Sequence, residues 1–185
     1  MRKIKVAVAG CLGRMGQEIV KQIIVNKKLE FIGGFEHQSH PSLNKKISQV
    51  TSIKSNLIVT SDSNSIFKKA DVIIDFTTPT STLLNVKKAS LYKTAIVIGT
   101  TGISNSQKNK IKSYAKKFPI LMSSNMSIGV NLLFNLVNKA SQTLQDTEYD
   151  IEIAETHHKH KVDAPSGTAL ALGECAASGR KNKIR

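Results

Sequence analysis

The apolar run Ile4 to Ala9 passes without a break into Gly10-Cys11-Leu12-Gly13-Arg14-Met15-Gly16 and then into a helical pattern. A strand that turns through closely spaced glycines into a helix restricts the chain to few architectures. The theme then repeats. Strands are expected at Ile4 to Ala9, Phe31 to Phe35, Leu57 to Val59, Val72 to Phe76, Ala95 to Ile98, Ile120 to Met122 and Ile151 to Ala154. Helices are expected at about Met15 to Val25, Thr80 to Leu91, Ser106 to Lys116 and Val130 to Leu144, with Ser104 placed to cap the third. Alternating strands and helices are the α/β signature. Runs such as Val72-Ile73-Ile74 and Ala95-Ile96-Val97-Ile98 are apolar on both faces, as parallel strands covered by helices must be. Gln38 to Asn56 reads as loop or irregular structure.

The glycine turn carries the first functional signal, because a helix N-terminus next to it can receive a pyrophosphate on backbone N–H groups. Its spacing is G-x-x-G-x-x-G, with Leu12 where the commoner G-x-G-x-x-G has its second glycine. A tight strand-to-helix turn with no ligand is the competing reading. Glu36, at the end of the expected second strand, stands where an acidic residue holds a ribose hydroxyl. His37 beside it would attract a 2′-phosphate weakly, so NADH and NADPH both stay open. Further strands end in Asp75-Phe76-Thr77-Thr78-Pro79, Gly99-Thr100-Thr101-Gly102 and Ser123-Ser124-Asn125-Met126. Any one of these is an ordinary turn. Their recurrence at the carboxyl ends of successive strands, where open α/β sheets bind ligands, favours a cofactor.

The second signal is the run from Glu155 to Thr168, in which His157, His158, Lys159, His160 and Lys161 pack three imidazoles and two ammonium groups into consecutive positions. Crowded like charges favour proton release and attract a small anion. Ser166-Gly167-Thr168 then opens an apolar stretch, offering hydroxyls and N–H groups as a helix start does when it holds a carboxylate. The histidines also have metal-ligand spacing, but Lys159 and Lys161 would repel a cation, so no metal is expected. Asp163 fits a turn cap before Pro165.

Composition bounds the rest. With 185 residues and 40% hydrophobic content, the chain suits one good-sized domain, or one and part of a second. No apolar stretch reaches membrane length and no convincing signal peptide opens the chain, so a cytoplasmic address is expected. Cys11 and Cys175 make no disulfide framework; Cys11 is expected to fill a small space under the glycine turn. A net charge of +14 raises the question of nucleic acid. The lysines are spread along the chain and aromatics are only 5%, which points instead to a solvated basic surface.

Taken together, the G-x-x-G-R-M-G opening, Asp75-Phe76-Thr77, Gly99-Thr100-Thr101-Gly102 and the H-H-x-H-K-x-D-x-P-S-G-T-A segment resemble the dihydrodipicolinate reductase (4-hydroxy-tetrahydrodipicolinate reductase) family. The resemblance spans essentially the whole chain. It implies a Rossmann-like parallel sheet domain over residues 1–126, followed by the start of an α+β substrate and oligomerisation domain over 127–185. It implies NADH or NADPH as cofactor, contacting Gly10, Cys11, Leu12, Gly13, Arg14, Met15, Glu36, Gly99, Thr100, Thr101, Ser123, Ser124, Asn125 and Met126. His157 matches the catalytic histidine and Lys161 the proton donor. His158, Ser166, Gly167 and Thr168 match the groups that hold a cyclic dicarboxylate. The implied activity is reduction of 4-hydroxy-tetrahydrodipicolinate in lysine and diaminopimelate synthesis, usually by a homotetramer. His37 and Thr78 stand where some members carry arginine, which weakens the case for strong NADPH preference. Members of the family continue beyond the position of Arg185, so an incomplete substrate domain is expected, with poor solubility or missing activity. A non-catalytic nucleotide-binding remnant is the alternative.

Overall fold

The computed structural model describes residues 2–144, 148–159, 161 and 164–181. The described chain divides into two compact units, Met1–Met122 and Ser123–Arg185.

The first unit is built on five strands: β1 (Ile4–Ala9), β2 (Leu29–Phe35), β3 (Val72–Asp75), β4 (Ala95–Ile98) and β5 (Ile120–Met122). All pair in parallel, in the order β2-β1-β3-β4-β5. Parallel neighbours require crossovers, which α1 (Arg14–Val25), α2 (Ile47–Val50), α3 (Ser63–Lys69), α4 (Pro79–Tyr92) and α5 (Asn105–Tyr114) help to supply. β1 shows why the strands read as continuous apolar runs. Val6 and Val8 pack into one core with Val20 and Ile23 of α1, while Ala7 and Ala9 face a second core with Ile66, Phe67, Val86 and Ile111 of α3 to α5. Phe35 and Phe67 meet there with ring centroids 5.7 Å apart.

The helix ends follow local chemistry. Thr78 caps α4 by accepting from the Ser81 N–H, with Pro79 at the first helical position, where a missing N–H costs nothing. Ser104 caps α5 as expected, in a reciprocal box with Gln107.

Leu57 to Val59 does not form the expected ladder, because its backbone is engaged elsewhere. Asn44 N–H donates to the Val59 carbonyl, Val59 N–H to Lys45 and Ile47 N–H to Leu57. The segment still lies beside β2, through a parallel bridge from Thr60 to Phe35. Counting it as a strand gives the order 3-2-1-4-5-6 of the dinucleotide-binding fold. The Gln38 to Asn56 stretch, read as irregular, contains the short α2, and α3 was not anticipated at all.

In the second unit, α6 (Ile128–Thr143) packs on α7 (Gly167–Gly179). The approach is close: a Cβ on Gly179 would sit 2.5 Å from the Asn138 carbonyl oxygen, and Asn138 Nδ2 donates to the Cys175 carbonyl at 3.0 Å. Ile151 to Ala154 alternates like a strand but has no ladder partner among the described residues, which leaves Ile151 and Ile153 exposed. Leu132, Leu133 and Leu136 of α6 are exposed as well. No described helix is long and apolar enough to cross a membrane.

Candidate active site

At the β1–α1 turn, Gly10 adopts φ +66°, a left-handed conformation that favours glycine. Gly16 answers a different need: a Cβ there would lie 2.0 Å from the Gly10 carbonyl oxygen. Only hydrogen lets the first turn of α1 close against the loop. Gly13 is the N-cap of α1 and gives it no side-chain cap, and no acid occupies the first turn. Arg14 is exposed beside these N–H groups. An uncapped N-terminus next to a cation is a fitting place for a phosphate.

Glu36 follows β2 and reaches back across the turn, its Oε1 accepting from the Leu12 N–H at 2.7 Å. The sequence reading placed this carboxylate on a ribose; the structure adds that the glycine loop itself orients it. Beside it, His37 is exposed and shares a 2.7 Å hydrogen bond with the Ser39 hydroxyl. Cys11 is buried under the turn, so close to Gly34 that a Cβ there would meet its Sγ at 2.5 Å. Burial, with the Glu36 charge second, pushes the thiol up to about 12, so it stays protonated.

Two further turns leave the same carboxyl edge of the sheet, after β3 and β4. Gly99 lies under the Phe76 ring, where a Cβ would come within 2.1 Å of the ring carbons. Thr100 is buried and Thr101 exposed, so these neighbours point in opposite senses.

In the second unit, Ser123 to Met126 form a turn before α6, with the Ser123 hydroxyl donating to the Asn125 carbonyl at 2.7 Å. Asn125 Nδ2 reaches the Thr168 hydroxyl at 3.4 Å. Ser166 is buried and caps α7, accepting from the Ala169 N–H at 3.0 Å. Gly167 is exposed, and a Cβ there would meet nothing within 4 Å.

Glu155, which the sequence reading gave no role, joins this segment together. Its Oε1 accepts from the Ser166 N–H at 2.8 Å, and its Oε2 lies 2.8 Å from His157 Nε2. The Ser166 hydroxyl, then His157, then the Ser166 N–H hold the Glu155 carboxyl down to about 2. One carboxylate therefore fixes the His157 ring and the start of α7 together. An acid two positions before a histidine was the available signal. Lys161 N–H donates to the His158 carbonyl at 3.1 Å, closing a turn that brings the two residues together. His160 and Asp163, as a candidate ligand and a candidate cap, lie outside the described residues. Among the described residues no three His, Cys, Asp or Glu side chains group as a metal site.

Comparison with known proteins accounts for both halves. The family model for the N-terminus of dihydrodipicolinate reductase matches residues 4–126, and that for its C-terminus matches residues 129–185. The chain is 45% identical over 181 residues to a 4-hydroxy-tetrahydrodipicolinate reductase of Wolbachia sp. subsp. Brugia malayi, covering 97% of this chain and 67% of that protein. It is 45% identical over 184 residues to the Pelagibacter ubique protein of the same name, again covering 67% of it. Among solved structures, the dipicolinate-bound dihydrodipicolinate reductase from Paenisporosarcina sp. TG-14 superposes with a TM-score of 0.76 at 30% identity, over 96% of this chain and 67% of that one. The chain thus spans about two thirds of the length of these relatives, across both halves of their sequence pattern, and it belongs to the dihydrodipicolinate reductase family.

Proposed function

We propose that this chain is an NADH- or NADPH-dependent 4-hydroxy-tetrahydrodipicolinate reductase, forming tetrahydrodipicolinate in lysine and diaminopimelate synthesis. The nucleotide-binding domain is taken as residues 1–126 and the substrate domain as residues 127–185. The names of the relatives support the substrate, and the division of labour among the residues follows the family resemblance. When bound, a reduced nicotinamide supplies the hydride.

The first-turn N–H groups of α1 and the Arg14 guanidinium receive the pyrophosphate, while Glu36 Oε2, opposite the oxygen bound to Leu12, accepts from ribose hydroxyls. The backbone at Gly99 to Thr101 would contact the cofactor from the first unit, and Ser123 to Met126 are assigned to it by the family resemblance. The substrate is a ring dicarboxylate. Gly167 and Thr168 at the start of α7, with His158, offer N–H, hydroxyl and imidazole groups to its carboxylates, while the Ser166 hydroxyl keeps α7 capped.

The net change adds a hydride and a proton to the ring compound and releases water. Lys161 supplies the proton from its ammonium group. His157, oriented by Glu155, serves as the catalytic imidazole. The carrying observation is the Glu155 bridge, which sets an imidazole and an anion-receiving helix start in one short segment. Cytoplasmic location and the homotetramer expected of the intact family member belong to the same reading, as does the absence of a nucleic-acid partner. Mixing the protein with the cyclic substrate and following oxidation of NADH and NADPH side by side tests it. Substrate-dependent oxidation is expected; binding of either nucleotide without oxidation would overturn the catalytic assignment.

A further inference from the structure

Asp75 is a fully buried carboxylate at the end of β3. Its partners are neutral groups drawn from three separate stretches of chain. Oδ1 accepts from the Thr77 N–H at 3.0 Å and the Thr77 hydroxyl at 2.6 Å, both in the turn after β3. Oδ2 accepts from Asn85 Nδ2 of α4 at 2.9 Å. From the turn after β4, the Thr100 hydroxyl approaches Oδ1 at 3.4 Å, and it is itself held by the Thr82 hydroxyl of α4 at 2.8 Å. The Asp75 carbonyl also accepts from the Gly99 N–H at 2.9 Å.

A buried charge is a poor device for stability alone, since an apolar side chain of similar size avoids the desolvation cost. What a carboxylate offers instead is several acceptor sites at fixed directions. Here Oδ1 ends on the two turns that leave β3 and β4 at the carboxyl edge of the sheet, and Oδ2 on α4. We propose that Asp75 is a positioning residue for cofactor binding: it locks the Thr77 and Gly99–Thr101 turns in register with each other, with Thr82 and Asn85 of α4 as its outer braces. This rests on the reading that the Gly99–Thr101 turn contacts the nicotinamide nucleotide. It also assigns Thr100 a changed part. With its hydroxyl turned inward to Asp75 and Thr82, Thr100 serves the cofactor through its backbone, and Thr101 is the outward side chain.

The test is NADH titration followed by nicotinamide fluorescence, on the wild-type chain and on Asp75→Ala, Asp75→Asn and Thr82→Val, with thermal unfolding of each. Asp75→Ala is expected to weaken NADH binding about tenfold, as one or two lost buried hydrogen bonds do. Asp75→Asn keeps an oxygen for Thr77, and the Asn85 amide can turn to meet its new N–H donor. It is expected within about twofold of wild type. Thr82→Val, nearly isosteric and away from the turn surface, is expected to weaken binding about threefold, and it decides the matter if Asp75→Ala does not fold. Unaltered affinity in Asp75→Ala or Thr82→Val, even with a lowered melting temperature, overturns the positioning role and leaves Asp75 merely structural. So does an Asp75→Asn variant no better than Asp75→Ala. A wild-type chain with no saturable NADH binding overturns the cofactor reading itself, and this proposal with it.

Discussion

The glycine turn Gly10–Gly16 and the segment Glu155–Thr168 each present N–H groups at a helix start, yet different forces hold them. The first is fixed by exclusion and burial. Gly16 touches the Gly10 carbonyl, Cys11 is sealed beneath, and two apolar cores flank β1. In the second, residues 155 to 159 are exposed, and the Glu155 carboxylate and the Ser166 cap tie His157 to the start of α7. Packing tolerates little change in volume, whereas an exposed charge-assisted bond responds to pH and salt. The nucleotide half should therefore fail through sterics and the chemical half through charge.

The largest effect expected is Lys161→Ala, which should lower kcat by about a hundredfold or more with little change in NADH affinity. Steady-state kinetics beside an NADH titration check it, and unchanged turnover would remove Lys161 from proton donation. Next, Gly16→Ala forces a Cβ against the Gly10 carbonyl and should cost ~3 kcal/mol in denaturant unfolding, along with NADH binding. An unaffected transition midpoint would break the claim that sterics govern this half. Ser166→Ala removes the α7 cap and should cost about 1 kcal/mol, read as faster amide exchange in the first turn of α7 while the sheet is unchanged.

The smallest effect is the pH response of Glu155. Its carboxyl is lowered from 4.5 to about 2, so its stabilising bonds are complete above pH 4.5 and are lost as pH falls toward 2. Carboxyl NMR should show Glu155 titrating near the low value, and Glu155→Gln should flatten the acid response of the α7 start. Titration of Glu155 near 4.5 would show that the bridge to His157 and Ser166 does not form.

The same contrast explains what could be read from sequence. β1, β3 and β4 were legible because each is a short apolar run packed on both faces, β5 because it is apolar although Leu121 and Met122 are exposed, and Ser104 because its box partner Gln107 is three residues away. Leu57 to Val59 reads as a full strand because an apolar run does not reveal which backbone neighbour takes the hydrogen bonds, and only Val59 of the three is buried. Ile151 to Ala154 failed in the converse way: alternation describes a strand face, but the ladder depends on another segment. At the site, the glycines, Glu36 and the histidine-lysine run were visible as motifs. The reach of Glu36 to Leu12, of Glu155 to Ser166, and of Asp75 to Thr100 spans 11 to 25 residues and depends on how the chain folds back. Spacing alone carries no sign of such contacts.

The central claim is that the packed turn between β1 and α1, with Glu36 oriented on it, forms a site for a reduced nicotinamide nucleotide. Titration of NADH into the 185-residue chain tests this most directly. Saturable binding with a Kd on the order of micromolar is the expected result. A signal that rises without saturating up to millimolar NADH would contradict the account.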